Sequence, residues 1–359
     1  MDIDEKDIRC CLEQFGIQRP LKKWALLADG PDHPVPYDVI RKIFFTEVEG
    51  DIRYVIKFIR EPVFPTKLIE QQSCFSDLLR KNGIATPFRM KKDGHYCVSY
   101  EKDSQVMDVT VEEWMGEKIA HITPDFLREV GSLLGKTHRI SLNSGMRIGF
   151  SLLYNEILTR DTSYARLWKE SNHEIMPAAA YEKIVDLYNQ RLAIVKRAWS
   201  SLPRAAVQGD IYSCNNLAWK DGRLALYDFN LAGDEVLIGD ILQCWFRTIF
   251  DERMEEDMKQ YLREELWDAF IGAYQNERPL TGIEKQYFPD AYSLFGVLYF
   301  TKLLAFQVRD GRKEEAVQNY EYLFRLLEVQ KVREISYPSC AFKNWMRSFV
   351  LDSRIATNL

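Results

Sequence analysis

The sequence predicts an α+β protein of two lobes: a small antiparallel sheet carrying one helix, then a larger helical lobe with one embedded β-hairpin. Three observations predict it. Apolar and polar residues alternate on either side of a Glu49-Gly50-Asp51 turn and again at 96–101 and 106–113, the period of half-buried strands. Beyond Gly116 the apolar period lengthens to that of helices. Inside that helical run one apolar island turns at Lys220-Asp221-Gly222, and polar residues gather around it. These readings divide the chain into lobes at 1–113 and 114–359.

Taken in order, residues 1–27 hold a short helix with Ile8, Cys11, Leu12 and Phe15 on one face, then the apolar run Trp24-Ala25-Leu26-Leu27. Ala28 to Pro36 is rich in Pro and Gly and reads as a loop. Asp38–Thr46 and Arg53–Ile59 form a hairpin around Gly50. Thr66–Asn82 is a helix closed by Gly83, the position where a left-handed residue ends a helix. Strands near Tyr96–Glu101 and Val106–Glu113 complete the sheet. In the second lobe, Pro124–His138 aligns Phe126, Leu127, Val130, Leu133, Leu134 and Thr137 on one stripe. Tyr181–Trp199 is a further helix, and helical patterns fill 240–275 and 289–330. The island supplies short strands at Ala205–Val207, Leu217–Trp219 and Leu224–Tyr227.

Composition narrows the function classes. With 359 residues, 46% of them hydrophobic and 28% charged, the chain buries a real core and is neither disordered nor a disulfide-stapled scaffold. A net charge of −5 argues against a nucleic-acid binder that tracks phosphates. The seven cysteines are scattered without a Cys-x-x-Cys pair, and the five histidines form no ligand cluster, so free thiols in a reducing compartment are expected and a zinc site is not. The N-terminus is acidic, and the most apolar helical stretch, Ser293–Thr301, stops at Lys302. The expectation is a cytoplasmic protein with no membrane or nucleic-acid partner, monomer or homodimer.

The polar residues at the island carry the chemistry. Asp210 follows a short apolar strand in Val207-Gln208-Gly209-Asp210, Asn215 lies five residues on, and the Asp-Gly turn brings Asp228 back toward that loop. A carboxylate placed to receive a hydroxyl proton, with an amide and a carboxylate for a divalent ion, supplies what phosphoryl transfer needs. Mg²⁺ suits such oxygen-only ligation. Each residue also has a plainer reading, since Asx side chains form turns and cap helices routinely.

At these residues the chain resembles the aminoglycoside phosphotransferase/choline kinase group of small-molecule kinases, which share the protein-kinase-like fold. Their signature is His-Gly-Asp-x4-Asn, a hairpin, then an Asp between apolar residues; here it reads Gln208-Gly209-Asp210, Asn215 and Tyr227-Asp228-Phe229. The resemblance implies ATP or GTP with Mg²⁺ as cofactors, Asp210 as catalytic base, and Asn215 and Asp228 as metal ligands. It implies that Lys57, ending Tyr54-Val55-Ile56-Lys57, holds the nucleotide phosphates with Glu70 as its ion-pair partner. Backbone groups of Glu112 and Trp114, in Val111-Glu112-Glu113-Trp114, would pair with adenine. Gln208 and Asp240, the latter in Ile238-Gly239-Asp240, would support the catalytic loop, and His138 would be a structural histidine.

The chain departs from the pattern in three places. Gln208 replaces the histidine, and Asn230 replaces the glycine after Asp-Phe. Pro31-Asp32-His33-Pro34-Val35-Pro36 stands where a phosphate-cradling glycine turn belongs. Three functions follow from the resemblance. One is phosphorylation of an aminoglycoside-like, amino-alcohol or sugar hydroxyl, including antibiotic resistance. The second is a metabolite kinase of the choline/ethanolamine, homoserine or methylthioribose type. The third is a catalytically silent binding relative of the spore-coat kind. Asp251–Asp268 holds eight acidic and three basic residues, which reads either as a solvated helix face or as a rim for a cationic acceptor.

Overall fold

The computed structural model describes residues 2–30, 39–61, 64–119, 121–151, 178–211, 216–249, 263–309 and 311–314. They form an α+β protein divided into two compact units, Met1–Lys118 with Leu217–Ala232, and Ile119–Asn216 with Gly233–Leu359. Among the described residues, no helix is long and apolar enough to cross a membrane.

The first unit opens with helix α1 (Glu5–Gln14), capped by a reciprocal Asp4–Asp7 box, and buries Ile8, Cys11, Leu12 and Phe15. A five-stranded antiparallel sheet follows: β1 (Leu21–Asp29), β2 (Ile40–Val48), β3 (Ile52–Arg60), β4 (Cys97–Lys102) and β5 (Gln105–Glu113), in the order β1-β2-β3-β5-β4. The run after α1 thus becomes a full edge strand. Gly50 and Asp51 at the β2–β3 turn, and Asp103 and Ser104 at the β4–β5 turn, have positive φ, which matches the turn to the twist of the strands. Helix α2 (Thr66–Lys81) ends at Asn82 with Gly83 at φ +87°. The core of the sheet joins α1 residues to Phe44, Ile56, Phe58, Met107, Val109 and Val111.

The same unit takes in a second, three-stranded sheet of β6 (Glu117–Lys118), β8 (Leu217–Lys220) and β9 (Arg223–Leu226). The β8–β9 hairpin turns on Asp221 and Gly222, both at positive φ. Glycine is required at Gly116, because a Cβ there would lie 2.5 Å from the Trp219 carbonyl oxygen. The Leu226 amide donates to the Ala85 carbonyl at 2.8 Å, tying the hairpin to the segment that follows α2.

The second unit contains α3 (Pro124–Ser144), α4 (Ala178–Ala198), α5 (Leu237–Ile249), α6 (Arg263–Glu277) and α7 (Gly282–Arg309), with an antiparallel ribbon of β7 (Arg204–Val207) and β10 (Gly233–Val236). Helix α3 runs six residues past His138, because nothing breaks it before Gly145, which caps it at φ +66°. Its Gly131 and Gly135 let α6 approach: a Cβ on Gly135 would lie 2.6 Å from the Tyr274 carbonyl oxygen, and one on Gly131 would clash with that of Phe270. Helix α7 begins at Gly282, seven residues before the boundary expected at Pro289, which the helix takes inside. Thr281 and Glu284 cap its start reciprocally, at 2.8 Å and 3.3 Å.

Candidate active site

In the first unit the charged residues meet around Lys57. This lysine is 4% exposed, on β3, and its Nζ lies 3.0 Å from Glu112 and 2.9 Å from Asp228. The Glu112 contact follows from strand register. Lys57 stands opposite Thr110 on β5, and Glu112, two residues on, shares that face as its diagonal neighbour, within reach of a long side chain. Glu112 is itself buried and also pairs with Arg89 at 2.9 Å. Arg89 donates to Ser73 Oγ on α2 at 2.6 Å, and its guanidinium lies 5.8 Å from the centre of the Phe229 ring. Two cations and two anions therefore alternate, Arg89–Glu112–Lys57–Asp228, each with an opposite neighbour to offset its desolvation.

Asp228 follows β9 in the left-handed region, at φ +54°, where a non-glycine residue is strained. Burial pushes its carboxyl up, but the charge and hydrogen bond of Lys57, helped by Arg41 and Arg89, outweigh it and hold the group below the ordinary range. Asn230, in the position of the missing glycine, is held by its backbone: Gln72 of α2 donates to the Asn230 and Ala232 carbonyls at 2.6 Å and 3.1 Å.

One expected pairing is corrected here. Glu70 is not the partner of Lys57. It sits off the buried face of α2, accepts the Cys97 amide at 2.9 Å and lies 4.0 Å from His95. The expected hinge, Glu112 and Trp114, runs along the sheet. The Glu112 backbone is flanked by Val55 on one side and Arg89 on the other, and the Trp114 amide donates to Arg53 at 3.0 Å. The Glu112 side chain makes the contact with Lys57 that was expected of Glu70.

In the second unit, β7 leads into the loop bearing Asp210. The buried Gln208 side chain accepts the Asp210 amide at 2.7 Å, and the Gln243 amide of α5 donates to the Gly209 carbonyl. Asn216 Nδ2 donates to Asp210 twice, at 2.7 Å to Oδ2 and 2.9 Å to the backbone carbonyl. Arg247, in the last turn of α5, forms an ion pair with Oδ1. Asn215 lies outside the described residues, as do the Pro31–Pro36 segment and most of the acidic stretch. Asn216, immediately before β8, is the asparagine whose contacts the structure gives; counting back from the hairpin, rather than forward from Asp210, points to it.

Asp240, expected at the catalytic loop, bonds instead to His138 Nε2 at 3.0 Å. It is Gln243 and Arg247, farther along the same helix, that reach the loop. His138 Nδ1 meets the Tyr274 hydroxyl at 2.9 Å, Arg278 donates to that hydroxyl at 2.8 Å, and Arg278 also grips both Glu284 oxygens at 2.9 Å. Burial lowers the His138 pKa despite Asp240, so the ring is neutral. It then donates from Nε2 to Asp240 and accepts from Tyr274 at Nδ1, which satisfies every member of the chain.

Among the described residues, no three His, Cys, Asp or Glu side chains gather as a metal cluster. In the first unit Asp228 presents a carboxylate held ionised, a hard oxygen donor of the kind that suits Mg²⁺ rather than a softer metal.

Comparisons with known proteins agree on the fold. No family model matches the chain. The chain is similar to an amicoumacin kinase solved with AMP-PNP and Ca²⁺ (TM-score 0.63, 14% identity, covering 91% of this chain and 94% of that one). It is also similar to a microcompartment-associated aminopropanol kinase (TM-score 0.60, 15% identity, 89% and 96%). A third likeness is to an aminoglycoside phosphotransferase from Alicyclobacillus acidocaldarius (TM-score 0.55, 14% identity, 91% and 94%). The chain thus has the protein-kinase-like fold of the aminoglycoside phosphotransferase and choline kinase type. Among curated relatives, an uncharacterized protein of Deinococcus radiodurans is 29% identical over 100 residues, and a homoserine kinase of Polaromonas naphthalenivorans 28% over 130. These matches take in 28% and 34% of this chain, and 28% and 38% of those relatives' length.

Proposed function

We propose that the protein is an ATP-dependent small-molecule kinase that moves the γ-phosphate of ATP to an acceptor hydroxyl. The observation that carries this reading is the pairing of Lys57 with Asp228 across 171 positions of sequence. A buried lysine and an ionised carboxylate held together in this fold are what a nucleotide's phosphates and their metal ion require. In this reading residues 1–113 bind the nucleotide phosphates, and 114–359 carry the catalytic loop and the acceptor site.

Lys57 holds phosphate oxygens and is kept in place by Glu112. Asp228 and, by its spacing from Asp210, Asn215 would hold Mg²⁺, which neutralises phosphate charge when bound. Asp210 accepts the hydroxyl proton. The structural neighbours support the nucleotide: one was solved with AMP-PNP and Ca²⁺, and a spectinomycin phosphotransferase with ADP. The homoserine kinase matches favour a metabolite acceptor over an antibiotic.

The test is transfer of labelled γ-phosphate from ATP-Mg to a panel of hydroxyl compounds: aminoglycosides, macrolides, choline, ethanolamine, homoserine and sugars. Wild type should label one class. Asp210→Asn should bind ATP-Mg and lose turnover by about 10²- to 10⁴-fold. Unchanged turnover in Asp210→Asn removes the base assignment. Absence of both transfer and nucleotide binding in wild type leaves the silent relative.

A further inference from the structure

We propose that Arg247 sets the acceptor class: it occupies the Asp210 carboxylate in the free protein and exchanges it for a carboxylate on the acceptor. The proposal rests on the kinase reading and narrows it. The acceptor is then a small hydroxylated carboxylic acid rather than a polycation.

The argument starts from the two oxygens of Asp210. Asn216 donates to Oδ2 at 2.7 Å, and Arg247 pairs with Oδ1, so both carry a donor. Each oxygen keeps a further acceptor site, but the guanidinium at Oδ1 takes up the negative charge that would draw the hydroxyl proton. The Asn216 bond is part of the loop's own scaffold, because the same amide also holds the Asp210 carbonyl at 2.9 Å. Arg247 belongs to a different element, the last turn of α5, and its long side chain can change partner while the loop stays put.

What draws it away must compensate the lost ion pair. A neutral acceptor offers nothing comparable, and a cationic one would meet a carboxylate already neutralised and a guanidinium that repels it. An acceptor carboxylate gives Arg247 the same planar, charge-assisted contact it makes with Asp210. The exchange is carboxylate for carboxylate, and it frees Oδ1 only when an acceptor is seated. In the reaction that follows, the hydroxyl proton passes to Asp210 and the hydroxyl oxygen bonds to the γ-phosphorus. The bond from that phosphorus to the β–γ bridging oxygen breaks, and ADP leaves with the electron pair.

The experiment compares kcat/KM of the full chain with ATP-Mg for acceptor pairs that differ only by a carboxylate. Suitable pairs are L-homoserine against 3-amino-1-propanol, L-serine against ethanolamine, and D-glycerate against ethylene glycol. Wild type is expected to prefer the acid in at least one pair by about tenfold or more, the worth of a hydrogen bond to a charged group. Arg247→Met should bring that ratio to near one, while Arg247→Lys, which keeps the charge without the planar fork, should keep a reduced preference. The Lys variant guards against a Met variant that does not fold. Preference for the decarboxylated member, or a ratio unchanged in Arg247→Met, overturns the proposal. Binding of ATP-Mg without transfer to any acid overturns it too, and leaves the kinase reading standing. Failure to bind ATP-Mg at all removes the kinase reading, and the proposal with it.

Discussion

Replacing Glu112 by glutamine removes one charge from the middle of the Arg89–Glu112–Lys57–Asp228 chain and little else. At an effective dielectric near 20, the 3.0 Å contact to Lys57 carries about 5 kcal/mol of gross attraction. Much of that only offsets the desolvation of the two groups, and the glutamine still accepts a hydrogen bond, so the net loss should be about 2–3 kcal/mol. Among the described residues Lys57 would keep Asp228 as its carboxylate partner, and Arg89 would keep Ser73. A lysine drawn wholly to Asp228 is misplaced for phosphate, so ATP-Mg should bind about tenfold more weakly, or about 1.4 kcal/mol. Urea unfolding reads the first effect and calorimetric titration with ATP-Mg the second. Glu70→Gln is the control: its oxygen can still accept the Cys97 amide, and stability should move by no more than about 0.5 kcal/mol. If Glu70→Gln loses nucleotide affinity and Glu112→Gln does not, the argument from strand register is wrong.

Three more predictions test other parts of the structure. Lys57→Met should raise the Asp228 pKa, because burial acts upward and the lysine is the main force holding it down. An Asp with a depressed folded pKa stabilises above its unfolded value, near 4, and loses that on acidification. The acid-unfolding midpoint of the variant should therefore move to higher pH. His138 has its pKa depressed from 6.5, so the unfolded state takes up the proton first. Wild type should lose stability as pH falls below about 6.5, while His138→Ala, which strips Asp240 of its partner, should unfold about 3–5 kcal/mol more easily at neutral pH. Gly135→Ala gains about 1 kcal/mol of helix propensity but drives a methyl into the Tyr274 carbonyl, for a net loss of about 2 kcal/mol. Gly272→Ala, in α6 with nothing within 4 Å, should instead gain close to the full propensity. Thermal melts of the two variants should shift in opposite directions.

Much of this was legible in the chain itself. The hairpins at Gly50 and Gly222, the α2 stop at Gly83 and the α3 stripe all announce themselves through local period and turn chemistry. The start of α7 was also announced, by Thr281-x-x-Glu284, but the proline at 289 is the louder signal and drew the boundary to itself. Contacts between distant segments are another matter. The pairing of Lys57 with Glu112 depends on which residues of β3 and β5 share a face, a matter of register that spacing along the chain leaves open. A glutamate on the helix after the lysine fits the family pattern, yet α2 turns Ile69, Gln72 and Ser73 inward and leaves Glu70 aside. Arg247 lies 37 positions from Asp210 and carries no motif.

The route of the chain through its two units has a consequence for how the protein is made. The first unit needs residues 217–232 to complete its second sheet and to bring Asp228 to Lys57, but 98 residues of the other unit, 119–216, are synthesised in between. At a translation rate of about 5–20 residues per second, the N-terminal sheet waits on the order of ten seconds for its last pieces. Throughout that interval Lys57 has Glu112 beside it but not Asp228. Within residues 1–118, Glu112, itself paired with Arg89, is thus a carboxylate already at hand for Lys57 before the residue that completes its surroundings has been made.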